Sequence, residues 1–264
     1  MVKVSLDIAE QKISSNSKVN RIYQLMRSDL ELQNCLQMAN TMAVKRLNYN
    51  DHGPVHARIV AGTALEIYDY LRGHIEPSII KDAIGDESDS KLVAFCGAYL
   101  HDIGNSIHRE MHHISGCIVA SPILTRLLSK IYEGENDRSI KIRQEILQSI
   151  FAHENDIKCL SFEAGVSKIA DGCDMAEGRA RIPYRMGKVD IHSLSALSIV
   201  AVEVGAGENA PLRITVQMND SAGIFQLENV LMKKVETSGL VNKVEVVARK
   251  GDRVLKRIDP ATSE

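Results

Sequence analysis

A histidine and an aspartate stand side by side, as His101 and Asp102, directly after an apolar segment with helical periodicity at residues 91–100. Such a helix would normally end in a capping or basic residue. A carboxylate buried there needs a neighbouring cation, several hydrogen bonds or a metal ion, because an unpaired buried charge is costly. The doublet therefore predicts a site of chemical interest, and the rest of the chain indicates its partner.

Other ionisable side chains interrupt apolar helices or cluster between them. Together with the doublet they form one set of candidate ligands: His56, His101, Asp102, His112, His113, His153 and Asp171. Imidazole and carboxylate ligands suit Mn, Fe, Zn, Co or Ni, whereas a structural zinc site would favour thiolates. The five cysteines are odd in number and show no CxxC spacing, which predicts reduced core residues. The set indicates a catalytic transition-metal site.

Each candidate also has an ordinary structural explanation when it is taken alone. His56 could be a hydrogen-bonded core residue, and His112 and His113 could be solvated. Asp171 shares a helix face with Asp174 and by itself suggests a solvated face. The order of the candidates along the chain, with their flanking residues, favours the joint interpretation.

Apolar residues three and four apart predict helices at residues 17–44, 54–73, 91–102, 114–132, 138–154 and 162–178. Pro54 is placed as the first residue of its helix, which puts His56 in the first turn. Two polar stretches are predicted to be irregular: residues 85–90 as a mobile loop or the start of a lid, and residues 104–113 as a loop. A helical domain at residues 1–190 follows.

The sequence changes in character after Ser193. Residues 194–204, 212–218 and 243–249 are rich in β-branched residues, and residues 222–239 form an amphipathic helical pattern closed by a glycine. The predicted fold is mainly α, with a small C-terminal α/β domain of ββαβ order at residues 191–264. We expect that domain to serve oligomerisation or substrate shaping.

Five motifs in this order resemble the HD-domain superfamily of metal-dependent phosphohydrolases: VHARIV, LHDIGN, HHISGCIVA, AHE and KIADGCDM. The resemblance covers about residues 50–185 and implies an HD-type helical bundle. By similarity, one metal ion would be held by His56, His101, Asp102 and Asp171. Members with a binuclear centre add two histidines, here His112 and His153, which would bind a second metal, or phosphate when one metal is present.

Some motifs of particular subgroups do not occur. The chain lacks the Gly-Tyr-Pro motif of the cyclic-dinucleotide subgroup and the acidic pair that marks the guanosine-tetraphosphate hydrolases. Glu154 stands where some relatives have a second histidine. These differences disfavour cyclic dinucleotide and alarmone substrates.

The resemblance implies hydrolysis of a phosphomonoester or phosphodiester, of a nucleotide-like small molecule, by a metal-activated water. The catalytic candidates are Asp102, which would bridge the ions and orient the water, and His101. The implied cofactor is one or two divalent ions, of Mn, Fe, Co, Ni or Zn, with Mg also allowed. Candidate substrate-binding residues are His113, Arg179, Arg181, Arg185 and Lys188. The four cations also fit a solvated linker between the domains, and residues 82–90 are expected to add specificity.

Two alternatives use the same scaffold: a di-iron oxygenase, and a non-catalytic nucleotide-binding regulatory protein. Nucleic acid is not a favoured partner, because the net charge is −2 and 4% of residues are aromatic. No apolar run approaches a membrane span, and the first residues lack a signal-peptide pattern, which predicts a cytoplasmic protein with no membrane partner. Unpaired strands of the C-terminal domain suggest a homodimer.

Overall fold

A computed structural model describes residues 1–175 and 191–260, apart from the side chains of residues 191–193. The described helices of the mainly α part are α1 (Leu6–Ser14), α2 (Ser17–Ser28), α3 (Leu30–Asn40), α4 (Pro54–Leu71), α5 (Ser78–Lys81), α6 (Glu87–Leu100), α7 (His112–Ile131), α8 (Asp137–Ala152), α9 (Phe162–Cys173) and α10 (Ile191–Leu197). A π-helical segment extends α3 over Thr41–Arg46. The predicted fold class is confirmed, with α1 as an addition that the sequence did not predict.

Helix α6 lies at the centre of the helical part. It contacts α2, α4, α8 and α9. Each of its residues from Leu92 to Leu100 is buried, so no face of this helix is left for solvent over that stretch. The doublet that follows α6 is therefore carried into the interior.

The segment at residues 85–90 is not a loop or lid, contrary to the prediction. Asp86 caps α6, and Asp89 at the third helical position completes a capping box. Acidic and hydroxyl side chains satisfy the first amide groups of a helix, so the polar composition here marks a helix start. This end lies roughly 20 Å along α6 from His101. Residues 82–90 therefore do not border the candidate site, contrary to the expectation that they would add specificity.

Two further boundaries differ from the prediction. Residues 104–113 overlap a 3₁₀ helix (Ile103–Ser106) at one end and the start of α7 at the other. His112 and His113 therefore lie on a helix instead of in a loop. Residues 194–197 belong to α10, and the strand begins only at Ile199. Leucine and alanine favour the helix there, whereas the β-branched residues start at Ile199.

The C-terminal sheet has five strands in the order β1 (Val2–Lys3), β2 (Ile199–Gly205), β3 (Leu212–Met218), β4 (Val244–Lys250) and β5 (Arg253–Ile258). Strands β3 and β4 are parallel, and the other pairs are antiparallel. The connection from β3 to β4 is helical, as α11 (Gly223–Gln226), a π-helical segment (Leu227–Met232), α12 (Lys233–Thr237) and a 3₁₀ turn (Val241–Lys243). The predicted ββαβ order is present, with β1 and β5 added at the edges.

The sheet and the helical part share one apolar core. Helix α4 contacts both β2 and β3. Strand β1 pairs with β2, so the first residues of the chain belong to the sheet, although the predicted helical domain began at residue 1. Since β1 and β5 cover β2 and β4, the strands that suggested a homodimer are paired within the described chain.

Helix α7 has the length and apolar composition of a membrane span, although the sequence analysis expected no such segment. By length and composition alone, it is the one candidate among the helices searched in residues 1–175 and 191–260. Its buried residues, including Leu124 and Leu128, belong to the core. Its first turn carries His112, so α7 is also an element of the candidate site described below.

Asp89 supports a stability prediction because its fully buried carboxylate accepts hydrogen bonds from Lys18, Tyr132 and Arg138. Burial raises the pKa of Asp89, but these three bonds outweigh it and hold the pKa below its usual value. Asp89→Asn is expected to lower the free energy of unfolding by about 3 kcal/mol, measured by urea denaturation, because the buried side chain loses its charge-assisted bonds with Lys18 and Arg138.

The advantage of the wild type over Asp89→Asn should be full above pH 5 and shrink as the pH falls below about 4, because the folded-state pKa lies under the free value. Asp137→Asn is the control: its carboxylate is 85% exposed and pairs with Lys141 at the surface, so its effect should stay under about 1 kcal/mol. Equal losses in both variants would contradict this account of α6.

Candidate metal centre

Four imidazoles converge at the ends of four helices. The Nε2 atoms of His56 and His101 lie 3.1 Å apart, and those of His112 and His153 lie 2.9 Å apart. All four side chains are buried. Two ring nitrogens at this separation need a proton or a metal cation between them, because their lone pairs otherwise face each other.

The helix ends fix the direction of two of these rings. His101 follows α6, and its Nδ1–H donates to the Ala98 carbonyl oxygen at 2.7 Å. His153 follows α8, and its Nδ1–H donates to the Ile150 oxygen at 2.6 Å. Each ring uses the unpaired carbonyl three residues before it, which turns Nε2 toward the centre.

Carboxylates stand behind the other two rings. His56, in the first turn of α4, donates its Nδ1–H to Asp174 Oδ2 at 2.7 Å. Nδ1 of His112 faces Glu154 Oε2 at 3.6 Å, which is beyond a direct hydrogen bond. A carboxylate at this position orients a ligating imidazole and increases its basicity. Asp174 was considered only as part of a solvated face, and its function could have been inferred from its position three residues after Asp171.

Asp102 lies between the two pairs of rings. Its Oδ2 is 3.5 Å from His56 Nε2 and 3.2 Å from His101 Nε2. Its Oδ1 is 3.4 Å from His112 Nε2 and 3.9 Å from His153 Nε2. One carboxylate thus turns one oxygen to each pair, which is the arrangement of a bridging ligand.

Asp171 completes the first group. Its Oδ1 lies 3.3 Å from His56 Nε2 and 3.5 Å from His101 Nε2. Its side chain is only 12% exposed, so the solvated face suggested by its helical neighbours is wrong for this residue. Helix α9 turns that face toward the imidazoles and away from solvent.

These distances fit the ligands of a transition-metal ion. Ligands bonded at 2.0–2.1 Å and at right angles to each other lie about 3 Å apart, close to the separations measured here. Among the described residues, two fully buried groups of side chains are able to hold an ion, His56 with His101 and Asp102, and Asp102 with His112 and His153. A third group, His112 with His113 and Glu154, is only partly buried. The donor set of imidazole and carboxylate suits a divalent transition metal.

The electrostatics of the cluster agree with this fit. Burial lowers the pKa of His101, but the carboxylates of Asp102 and Asp171 outweigh it and raise that pKa to about 9. Burial and the neighbouring imidazoles hold the pKa of His153 well below its usual value. Burial raises the pKa of Asp102, yet His101 holds it well below the usual range. Metal binding would therefore displace a proton from His101.

Helix α7 packs closely against the turn that follows the His101–Asp102 doublet. A Cβ atom on Gly104 would lie 1.9 Å from the His112 carbonyl oxygen, so only glycine allows this approach. Asn105 Nδ2 donates to Asp102 Oδ1 at 2.7 Å and to the Asp102 carbonyl oxygen at 3.1 Å. Asn105 therefore fixes the orientation of the central carboxylate, which the sequence analysis did not recognise.

A cleft of about 210 Å³ opens onto the cluster. Two cations line it that the sequence analysis missed, Arg109 and Lys234. Arg109 Nη1 is 3.6 Å from Asp102 Oδ1, and Lys234 Nζ is 2.7 Å from Asp171 Oδ2. Arg109 lies close to the doublet in sequence, but Lys234 belongs to the helix between β3 and β4, and no motif pointed to it.

None of the predicted substrate-binding residues is among the described residues that line the cleft. The ring of His113 packs against Phe151, with 5.3 Å between centroids, and His113 is absent from the described lining of the cleft. The predicted phosphate-binding cations lie outside the described residues: Arg179, Arg181, Arg185 and Lys188. They stay predictions.

Comparison with known proteins agrees with the geometry. Residues 55–176 match the HD domain family, a range that includes all six convergent side chains. The chain belongs to the HD-domain superfamily. A relative is the uncharacterized protein MJ1020 of Methanocaldococcus jannaschii, 44% identical over 229 residues that cover 86% of this chain and 88% of the relative. No solved structure matches the chain.

The HD-domain cluster supports a prediction about metal removal. Mn²⁺ at a hundredfold excess over its dissociation constant should stabilise the fold by about 2.7 kcal/mol, which raises Tm by roughly 5–10 °C for a chain of this size. EDTA should reverse the shift in a thermal denaturation assay. Asp102→Ala should abolish it, whereas His108→Ala, an exposed histidine near the cleft, should keep it. A full shift in Asp102→Ala would contradict the assignment of the central ligand.

Proposed function

We propose that this HD-domain protein is a metal-dependent phosphohydrolase that hydrolyses a phosphomonoester or phosphodiester of a nucleotide-like small molecule. The observation that carries the proposal is the position of Asp102, with one oxygen toward each pair of imidazoles. Such a carboxylate suits a centre of two divalent ions that share one ligand. His56, His101, Asp102 and Asp171 would hold one ion, and Asp102, His112 and His153 the other.

A divalent ion in this position lowers the pKa of a bound water and neutralises charge on a phosphoryl group. The chain itself supplies orientation and charge. Asn105 holds the Asp102 carboxylate by a 2.7 Å hydrogen bond, so Asp102 can accept a hydrogen bond from the attacking water in a fixed direction.

The charges that line the cleft favour an anionic substrate once metal is bound. Among the described residues, four carboxylates line it, on Asp102, Glu154, Asp171 and Asp174, against the two permanent cations of Arg109 and Lys234. Without metal, these described charges are net negative and disfavour phosphate. Two divalent ions reverse the sign, and phosphoryl transfer relies on such positioning and charge neutralisation.

The proposal also covers the cellular setting and the oligomeric state. We propose a reducing, cytoplasmic setting, which fits the five free cysteines. A homodimer is also proposed, with its interface at the sheet edges that β1 and β5 now form.

The test is a screen of nucleotides, cyclic nucleotides and sugar phosphates with Mn²⁺, Co²⁺, Ni²⁺, Zn²⁺ and Mg²⁺, with release of phosphate as the readout for monoesters and product chromatography for diesters. We expect hydrolysis by the wild type. Asp102→Asn should reduce kcat at least about a hundredfold, because it removes the charge that faces both ligand groups. Asp156→Asn, an exposed carboxylate after α8, is the matched control and should keep full activity.

Three outcomes would contradict the proposal. Full activity in Asp102→Asn would remove Asp102 from the reaction. Oxygen-dependent turnover with iron alone would indicate a di-iron oxygenase. Tight nucleotide binding without hydrolysis under any metal would indicate a regulatory protein.

A further inference from the structure

One wall of the cleft comes from the helical connection between β3 and β4, which lies outside the matched HD domain. Gln226, Val230 and Lys234 lie four residues apart on the helical connection from β3 to β4, and all three line the cleft. Residues at this spacing share one side of a helix. This side, here called the Lys234 face, faces the candidate metal-ligand cluster across the cleft.

Lys234 is held at the edge of the cluster by an ion pair and a hydrogen bond. Its ammonium lies 2.7 Å from Asp171 Oδ2 and donates to the His153 carbonyl oxygen at 3.0 Å. An ammonium has three N–H donors, and these contacts with described residues occupy at most two of them. Because Lys234 also lines the cleft, it can donate to a ligand there.

The helix that carries Lys234 is fixed against the HD domain. A Cβ atom on Gly172, next to Asp171, would lie 3.1 Å from Leu231 Cδ1 and 3.3 Å from Lys234 Cδ, so glycine permits this close packing. Thr237 Oγ1 donates to the Asn155 carbonyl oxygen at 2.9 Å. Lys234 is consequently only 8% exposed. Much of the entropic cost of ordering a lysine is met before a ligand arrives.

We propose that Lys234 binds the phosphate of the substrate and that Val230 and Gln226 contact its organic part. This inference rests on the proposed phosphohydrolase function. Val230 lies about one helical turn from Lys234, and Gln226 about two turns. The Lys234 face thus suits a small phosphate ester whose organic group extends one to two helical turns from the phosphate, with an apolar part followed by a hydrogen-bonding part.

A hydrogen bond holds the Gln226 side chain in place, which suits it to contact the organic part of the substrate. Ser195 Oγ of α10 donates to Gln226 Oε1 at 3.2 Å, and Gln226 is 8% exposed. An amide that is held in place discriminates between ligands better than a mobile one, because a mismatched group leaves it unpaired. The C-terminal sheet would then act in substrate recognition, which is one of the two functions expected from the sequence.

The experiment compares four full-length, Mn²⁺-loaded proteins: the wild type, Lys234→Met, Lys234→Arg and Lys233→Met. Lys233 is the neighbouring lysine on the same helix and is exposed, so it is the matched control. The readouts are bound Mn²⁺ by elemental analysis, the Kd of inorganic phosphate by calorimetry, and KM and kcat for a substrate found in the screen. If Lys234→Met does not fold, Lys234→Gln takes its place.

Lys234→Met is expected to keep its Mn²⁺ and to weaken phosphate binding about 10- to 100-fold, the loss typical of a hydrogen bond to a charged group. KM should rise in parallel, Lys234→Arg should recover part of the affinity, and Lys233→Met should match the wild type. Val230→Ala and Gln226→Ala should raise KM but leave the Kd of inorganic phosphate unchanged.

Two results would overturn the inference. One is a phosphate Kd within twofold of the wild type in Lys234→Met. The other is loss of Mn²⁺ in that variant, which would make Lys234 a residue that acts only through Asp171. If the wild type hydrolyses no substrate, the proposed function fails, but the phosphate titration still decides whether Lys234 is an anion-binding residue.

Discussion

The structure depends on one electrostatic constraint, the burial of four imidazoles and two carboxylates within contact of each other. Three of the rings, those of His56, His101 and His153, commit Nδ1 to an acceptor and so aim Nε2 at a shared space. The carboxylates of Asp102 and Asp171 occupy that same space. Uncompensated, such a group of acceptors would be strongly destabilising. A cation among them would resolve the conflict, and it would also explain why a doublet of histidine and aspartate follows an apolar helix.

Helix ends satisfy this constraint geometrically. The ligands come from the starts of α4 and α7 and from the ends of α6, α8 and α9. A side chain at a helix end can turn its polar atoms inward while the rest of the helix packs in the apolar core. The helical connection from β3 to β4 then closes the arrangement from outside, since Lys234 contacts both Asp171 and the backbone of His153.

The sequence predicted the fold class and the side chains that converge in the cluster, but not the whole cleft. His56, His101 and Asp171 were recognisable because residue type and flanking motif identify a candidate ligand whatever its distance in the chain. Lys234 was not, because a lysine on an amphipathic helix has no local signal, and only the packing of α9 against that helix brings it to the site. The acidic stretch at residues 85–90 was misassigned for a related reason: the same residues that favour loops also cap helices.

The most direct measurement of the central claim is an anomalous difference map from crystals of the Mn²⁺-loaded protein. The account predicts one peak among His56, His101, Asp102 and Asp171 and a second among Asp102, His112 and His153, with Asp102 bonded to both. Absence of ordered metal at Asp102 from fully loaded crystals, or peaks only at sites elsewhere on the chain, would contradict it.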